Sequence, residues 1–403
     1  MKWESHRVRS IRRSATLDSS ERGLSTSKRT ILDLVSGAPE LDTPAEIKAA
    51  ARAALDEDYR YMKYTSSAGL LELRDAIAAK LKQENAITAT VDDIIVTVGV
   101  KEGIALATQA CLQPGDEVLL FTPAWVSYDA LIRLAGALPI SLPLSTGPAF
   151  LPGMAEIENR ITPRTRAILL NTPHNPTGRL LSAGDLDVIA SLAQRHDLLV
   201  LVDETLEYLN YTELPHLSIA ALQGMAKRTV TFNGFSKAFC MTGWRVGYAA
   251  GPRSIITNML TIHQHLVTCA NAVAQRGAVV ALTGSQEGRH SIRAALEKRR
   301  NVMVEGLNGI SGMRCITPQA GLFCFPDISS IGLSDKSFSE FCLQESEVAL
   351  LPGSVFGAGG EGHVRVAFAR RSINDLIEAV SRIKRALAEE RHSKYLVAGD
   401  HRS

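Results

Sequence analysis

The sequence predicts an α/β protein, with a large domain on a mostly parallel sheet and a second, smaller domain in the C-terminal part. Short apolar runs at 94–98, 118–121, 167–170, 198–202, 230–233 and 246–250 recur through the middle of the chain, mostly separated by helical or polar stretches. Strands alternating with helices build parallel sheets. With 403 residues, 45% of them hydrophobic and 21% charged, the chain is long enough for two domains and a large core. From residue 292 the pattern changes to a long helical stretch, strand-like segments at 321–325 and 363–368, and a closing helix.

Composition excludes several functions. A net charge near +2 leaves no nucleic-acid footprint, and no apolar run approaches the ~20 residues that span a bilayer. The six cysteines (111, 240, 269, 315, 324 and 342) show no metal-binding spacing and sit mostly in apolar surroundings, which favours reduced thiols in a cytoplasmic protein. Residues 1–30 carry Arg7, Arg9, Arg12, Arg13 and Arg22 with few apolar residues. A transit peptide looks similar, but Glu4, Asp18 and Glu21 interrupt this one, so a flexible or partner-clasping arm is the better reading.

In chain order, the run from Ile31 to Pro39 reads as a short strand entering a Gly/Pro turn at Gly37, or as a plain connecting loop, and Thr43-Pro44 starts a helix. A polar loop, 61–69, precedes an amphipathic helix whose apolar residues Leu73, Ile77 and Leu81 recur every four positions. Ligands of open α/β sheets bind beyond the carboxyl ends of the strands, so residues following strands are site candidates. After the first strand, Gly99, Val100 and Lys101 enter a helix; such a turn offers free N–H groups and a positive dipole end to an anion, although many bind nothing. Next come Trp125, for packing or stacking, and Asn171-Thr-Pro-His-Asn175-Pro-Thr-Gly178, a turn by composition.

The fourth strand ends on Asp203, a helix cap or a functional carboxylate. The fifth runs into Ser236 and Lys237, with Arg245 following. A lysine in that tight, apolar context is only partly solvated, and desolvation with a nearby cation makes its amine a nucleophile toward a carbonyl. Arginine recognises phosphate through a planar fork of donors. Arg365 lies in an apolar strand, where a guanidinium needs an ion pair or a bound carboxylate. Ser372 to Asp375 caps a closing helix with Leu376, Val380, Ile383 and Leu387 on its apolar face.

The stretch Thr231–Tyr248 closely resembles the cofactor-lysine signature of class I aminotransferases, the pyridoxal-phosphate (PLP) enzymes of the aspartate aminotransferase superfamily. Tyr64-Thr65, Gly69, Leu73-Arg74, the Asn175-Pro-Thr-Gly178 turn and Leu351-Pro-Gly-Ser-Val-Phe-Gly357 match that family in order, over about residues 31–390. The resemblance implies fold type I of the PLP-dependent transferases: an arm (1–30), a small domain from 31–60 and 301–395, and a large PLP-binding domain (61–300) in a homodimer with shared active sites. It also implies roles. Lys237 carries PLP as a Schiff base and moves the substrate α-proton. Arg245, Ser236, the Gly99–Lys101 backbone and the neighbouring subunit's Tyr64 hold its phosphate. Trp125 stacks on the ring, Asn175 meets its phenolic oxygen and Asp203 its pyridine nitrogen. Gly37 and Arg365 receive the substrate carboxylate, and Asn175 also binds substrate. The implied reaction is ping-pong transfer of an amino group from an amino acid to a 2-oxo acid.

Two departures stand out. The family usually has Tyr where this chain has Ala124, which leaves space, and where the family most often reads Asp-x-x-Tyr this chain has Leu206. Loss of that phenol removes a donor from the cofactor's phenolic oxygen and predicts a raised pKa for the lysine–cofactor imine, unless Tyr208 or Tyr211 takes its place. It also keeps a PLP-dependent lyase, decarboxylase or oxidase open as the alternative. A regulator with a DNA-binding head is disfavoured, because residues 1–30 are too short for such a module. Leu41, Ala124 and residues 262–272 are expected to line the substrate pocket.

Overall fold

The apolar runs pack as expected into one sheet. The computed structural model describes residues 5–17, 31–57, 59–145 and 150–399. After α1 (His6–Arg9) and a helical turn at 15–17 come β1 (Leu32–Asp33), α2 (Ala45–Glu57), α3 (Leu71–Glu84), β2 (Ile94–Thr97), α4 (Val100–Cys111) and β3 (Glu117–Thr122). The middle continues with α5 (Ser127–Leu134), β4 (Leu138–Pro143), α6 (Met154–Glu158), β5 (Thr165–Asn171), α7 (Ala183–Arg195), β6 (Leu199–Asp203), β7 (Thr229–Gly234) and β8 (Gly247–Ala250). The chain closes with α8 (Arg253–Leu266), α9 (Ala272–Thr283), α10 (Glu287–Asn308), β9 (Phe323–Cys324), α11 (Asp335–Glu345), β10 (Val348–Ala349), β11 (Leu351–Pro352), β12 (Val364–Ala367) and α12 (Ile373–Gly399).

Seven strands form the main sheet in the order β2-β8-β7-β6-β5-β3-β4. All pairings are parallel except those of β8, which runs antiparallel to both neighbours. The connection between β7 and β8, residues 235–246, holds only a helical turn at Thr242–Trp244 and no crossover helix, and the chain returns antiparallel beside β7. The sequence reading passes over β4. Half of its residues are exposed and only Leu142 is buried, as suits an edge strand that contains Pro139 and ends on Pro143.

Each face of the sheet is covered by apolar side chains. Ile95, Leu106, Val118, Leu169 and Phe232 pack with Ile132 of α5 and Met259 of α8 on one side, and Leu119, Ile168 and Val200 pack with Leu186 and Ile189 of α7 on the other. Each such side chain contributes roughly 1.5–3 kcal/mol relative to exposure. Ile47 of α2 joins Leu73, Ile77, Val96 and Ala278 in a third cluster, so α2 packs on the larger body, and just before it the Thr43 hydroxyl donates to the carbonyl of Cys240.

The smaller body has its own core of Leu296, Met303, Leu307, Phe338, Val366, Leu376 and Ile383, beneath the antiparallel sheet β11-β12-β9. Its other sheet pairs β1 with β10, Leu32 opposite Val348, which pins the segment after the arm to the C-terminal part of the chain. Arg370 reinforces that closure with hydrogen bonds to Asp33 and Glu40. Ser372 and Asp375 cap α12 reciprocally, the capping expected from sequence.

Candidate active site

Because β2, β3, β5, β6 and β7 are parallel in sense, their carboxyl ends share one edge of the sheet, and the reversal at β8 returns Arg245 to that same edge. A cavity of about 380 Å³ opens there between the two bodies. Among its lining are Gly37, Val100, Lys101, Trp125, Asn175, Asp203, Ser236, Lys237, Arg245 and Arg365. Of the expected site residues, Gly99 adjoins the cavity through Arg245, and Tyr64 alone stands away from it, 83% exposed on the surface.

Lys237 follows β7, and its Nζ donates to the carbonyl of Gly37 at 2.9 Å. Burial first, then the cations of Arg365 and Arg245, pull its pKa down to about 8, while Asp203 opposes them. A neutral amine is thus accessible near physiological pH. A Cβ at Gly37 would lie 2.3 Å from the Phe323 ring, so any side chain there requires that ring to shift.

Asp203 ends β6 in a buried position. Oδ2 accepts from the Tyr128 hydroxyl at 2.7 Å, and Oδ1 accepts from the Thr205 N–H at 3.0 Å and its hydroxyl at 2.5 Å. Burial raises the carboxyl pKa, and the Thr205 and Tyr128 donors and Lys237 act against that rise. The neighbouring Glu204 turns the opposite way, into a buried group with Ser218 and His216. Beside them Glu207 is paired with Lys80 and bonded by Asn85 and Asn233.

Arg365, on the central strand of the small sheet, is 2% exposed. Its guanidinium donates to Val35 O at 2.9 Å and Asn175 Oδ1 at 3.2 Å, lies 3.9 Å above the Phe323 ring, and leaves Nε without a partner. It meets no carboxylate among the described residues, and burial draws its pKa down to about 9. The structural ion pair considered for this arginine is therefore absent there. A desolvated cation with a spare donor is a receptor for an anion.

At the far end, Arg245 adopts left-handed backbone (φ 54°) and donates to Thr242 O and Val98 O. Gly99 opens α4 without a side-chain cap, and a Cβ on it would approach Arg245 Nη2 to 2.5 Å. The glycine therefore lets a guanidinium and an uncapped helix start converge, a donor set suited to phosphate. Lys101 Nζ lies 5.0 Å from the Trp125 ring, and burial followed by the Arg245 charge lowers its pKa.

Comparison with known proteins decides what this edge belongs to. The model of the family described as aminotransferase class I and II matches residues 29–383. The chain is 39% identical over 364 residues to aromatic-amino-acid aminotransferase 2 of Thermococcus litoralis, covering 90% of this chain and 92% of that one. It is likewise 39% identical over 366 residues to an aspartate aminotransferase of Pyrococcus abyssi, covering 90% and 93%. The chain belongs to the class I and II aminotransferases. The solved structure of the Thermus thermophilus aspartate aminotransferase with maleate matches with a TM-score of 0.90 at 36% identity, covering 96% of this chain and 100% of that one. The fold is thus type I of the PLP-dependent transferases, and the activity is amino-group transfer; the lyase, decarboxylase and oxidase alternative is not favoured.

Several expectations for this aminotransferase need correction. Leu41 packs against the smaller core, and Ala124 lines a separate small cavity with Phe121, Leu144, Phe150 and His174. Residues 262–272 span the end of α8 and the start of α9 and are not part of the main cavity lining. Leu206 does line the cavity, but neither tyrosine replaces the missing phenol: Tyr208 donates to Glu84 at 2.5 Å and Tyr211 to Gly321 O at 2.6 Å. Sequence reasoning missed Tyr128, Thr205, Leu322 and Phe323. It left open the arm, whose Thr16 and Leu17 line the cavity. Arg22 and the rest of 18–30 lie outside the described residues.

Proposed function

We propose that this aminotransferase binds pyridoxal phosphate at the carboxyl edge of its sheet and moves an amino group between an amino acid and a 2-oxo acid in a two-stage, ping-pong cycle. The observation that carries the reading is the pairing of Lys237, an amine with pKa near 8, with Arg365, a buried guanidinium that meets no carboxylate among the described residues. The donor set fits the cofactor: Arg245, Ser236 and the backbone of Gly99, Val100 and Lys101 would hold the phosphate, Trp125 the ring face, Asn175 the phenolic oxygen and Asp203 the ring nitrogen. When bound, the cofactor supplies a carbonyl that condenses with amines and a ring that accepts electrons.

The protein's own groups do the rest. Arg365 receives the substrate carboxylate beside the Gly37 turn and so fixes the direction of the Cα–H bond. Lys237 carries the proton to and from Cα. Asp203 would accept the ring-nitrogen proton in a hydrogen bond, and its Thr205 and Tyr128 donors favour the carboxylate form this needs against the burial that disfavours it.

We further propose a homodimer in which Tyr64 of the partner subunit completes the phosphate site. Leu55, Tyr59, Met62, Tyr64 and Leu71, close in sequence and all exposed, support a covered face there. We take the two bodies as a small domain, from 31–60 and 301–395, and a large one, 61–300, against which α2 of the first segment packs. Six unpaired thiols support a cytoplasmic setting.

The test is the absorbance of the purified full-length protein mixed with single amino acids, aspartate, glutamate and the aromatic ones first, without any 2-oxo acid. Stoichiometric release of the matching 2-oxo acid with bleaching of the visible band supports the reading. Release of ammonia or carbon dioxide with return of the band would overturn it.

A further inference from the structure

We propose that Thr205 is a positioning residue for Asp203: with Tyr128 it occupies three of the carboxylate's four acceptor sites and leaves one, on Oδ2, for the ring-nitrogen proton of bound pyridoxal phosphate. This rests on the cofactor reading above.

A carboxylate offers about four lone-pair sites, two on each oxygen. Among the described residues, Oδ1 is filled by the N–H and hydroxyl of Thr205, and Oδ2 takes only the Tyr128 hydroxyl. The backbone bond alone closes the local turn; the threonine hydroxyl, at 2.5 Å, is additional. It is in place because the chain after β6 turns its side chains alternately, with Glu204 toward Ser218 and Thr205 toward the cavity that Asp203 faces. Turning the carboxylate would break all three of these bonds, so its orientation is fixed before any ligand arrives.

The same bonds favour the ionised carboxylate in a site whose burial disfavours it. The groups facing Asp203 are Tyr128 from α5, Thr205 from the turn and Lys237 from the segment after β7, with Arg365 of β12 and Arg245 acting on Lys237. Asn171 of β5 binds only the Asp203 backbone carbonyl. Above the pKa of Asp203 the Thr205 bond exists with and without cofactor and cancels from the affinity. Below it, the empty site must give up a proton to bind, and the hydroxyl lowers the pH at which this penalty starts.

The experiment is cofactor retention by the full-length holoenzyme, read by absorbance and fluorescence after dilution and dialysis from pH 5 to 9, for the wild type, Thr205→Val and Thr205→Ser. The valine variant is expected to match the wild type at pH 8.5 and to begin losing PLP about one pH unit higher on the acid side, close to tenfold weaker there. The serine variant is expected to follow the wild type. Thr205→Ala serves if valine does not fold. Superimposable profiles, or an equal loss at every pH, overturn the assignment. A wild type that retains no PLP at any pH overturns the cofactor reading itself.

Discussion

The low pKa of Lys237 makes a prediction about the cofactor-free protein that involves no catalysis. In the unfolded chain its amine holds a proton to about 10.5, whereas in the folded chain it releases it at about 8. Between those values the unfolded state binds more protons, so stability rises with pH across that window. The gap corresponds to at most about 3 kcal/mol, and about 2 kcal/mol is expected because the side chain is only half-buried. Lys237→Met keeps the length of the side chain and removes the charge. At pH 7 it is expected to be more stable than the wild type by about 1 kcal/mol, since the lost bond to Gly37 O offsets part of the gain. Its advantage should then shrink steadily and reverse by pH 10. Urea unfolding of both cofactor-free proteins at pH 7, 8.5 and 10 measures this. A wild type and variant whose stabilities change in parallel would refute the claim that folding depresses this lysine.

Three further outcomes follow from the site. Arg365→Met is expected to lower kcat/KM for amino acids by roughly 10²–10³-fold, the value of a desolvated charge-assisted pair, while leaving the slow reaction with amines that lack a carboxylate unchanged in steady-state assays. Gly37→Ala forces a methyl group to 2.3 Å from Phe323, whose ring carries Arg365; a loss of about 1–3 kcal/mol in denaturant unfolding and a raised KM are expected. Leu206→Tyr returns a phenol to the cavity wall and is expected to lower the midpoint of the visible-band pH titration of the holoenzyme by about one unit, with the native protein titrating higher.

Much of this architecture was legible because the buried strands are short runs of Val, Ile and Leu, and because the reactive residues follow those runs directly. Lys237, Asp203 and Asn175 follow or end strands of the main sheet and meet at its carboxyl edge, and Arg365 reaches them from β12 of the smaller sheet. What escaped was of two kinds. β4 is an exposed edge with prolines, so it lacks the apolar run that marks its neighbours, and α8 and α9 carry no site motif to draw attention to them. Thr205 and Tyr128 look like any turn threonine and any helix tyrosine; only the fold shows that both reach one carboxylate. The pocket wall was misassigned for the same reason: whether Ala124 or Phe323 faces a ligand depends on how the two bodies meet, and local sequence does not record it.

The β7–β8 hairpin works as a gauge. Gly234 stands opposite Gly247 in register, and Gly247 presses so closely on the start of α4 that a Cβ would lie 2.8 Å from Val100 N. The backbone positions of Lys237 and Arg245 are therefore set by one loop, held at its base by contacts that leave no room for an added atom. One residue added to or removed from 235–246 is expected to shift Lys237 relative to Arg245 while leaving the pairing of β7 with β8 in place.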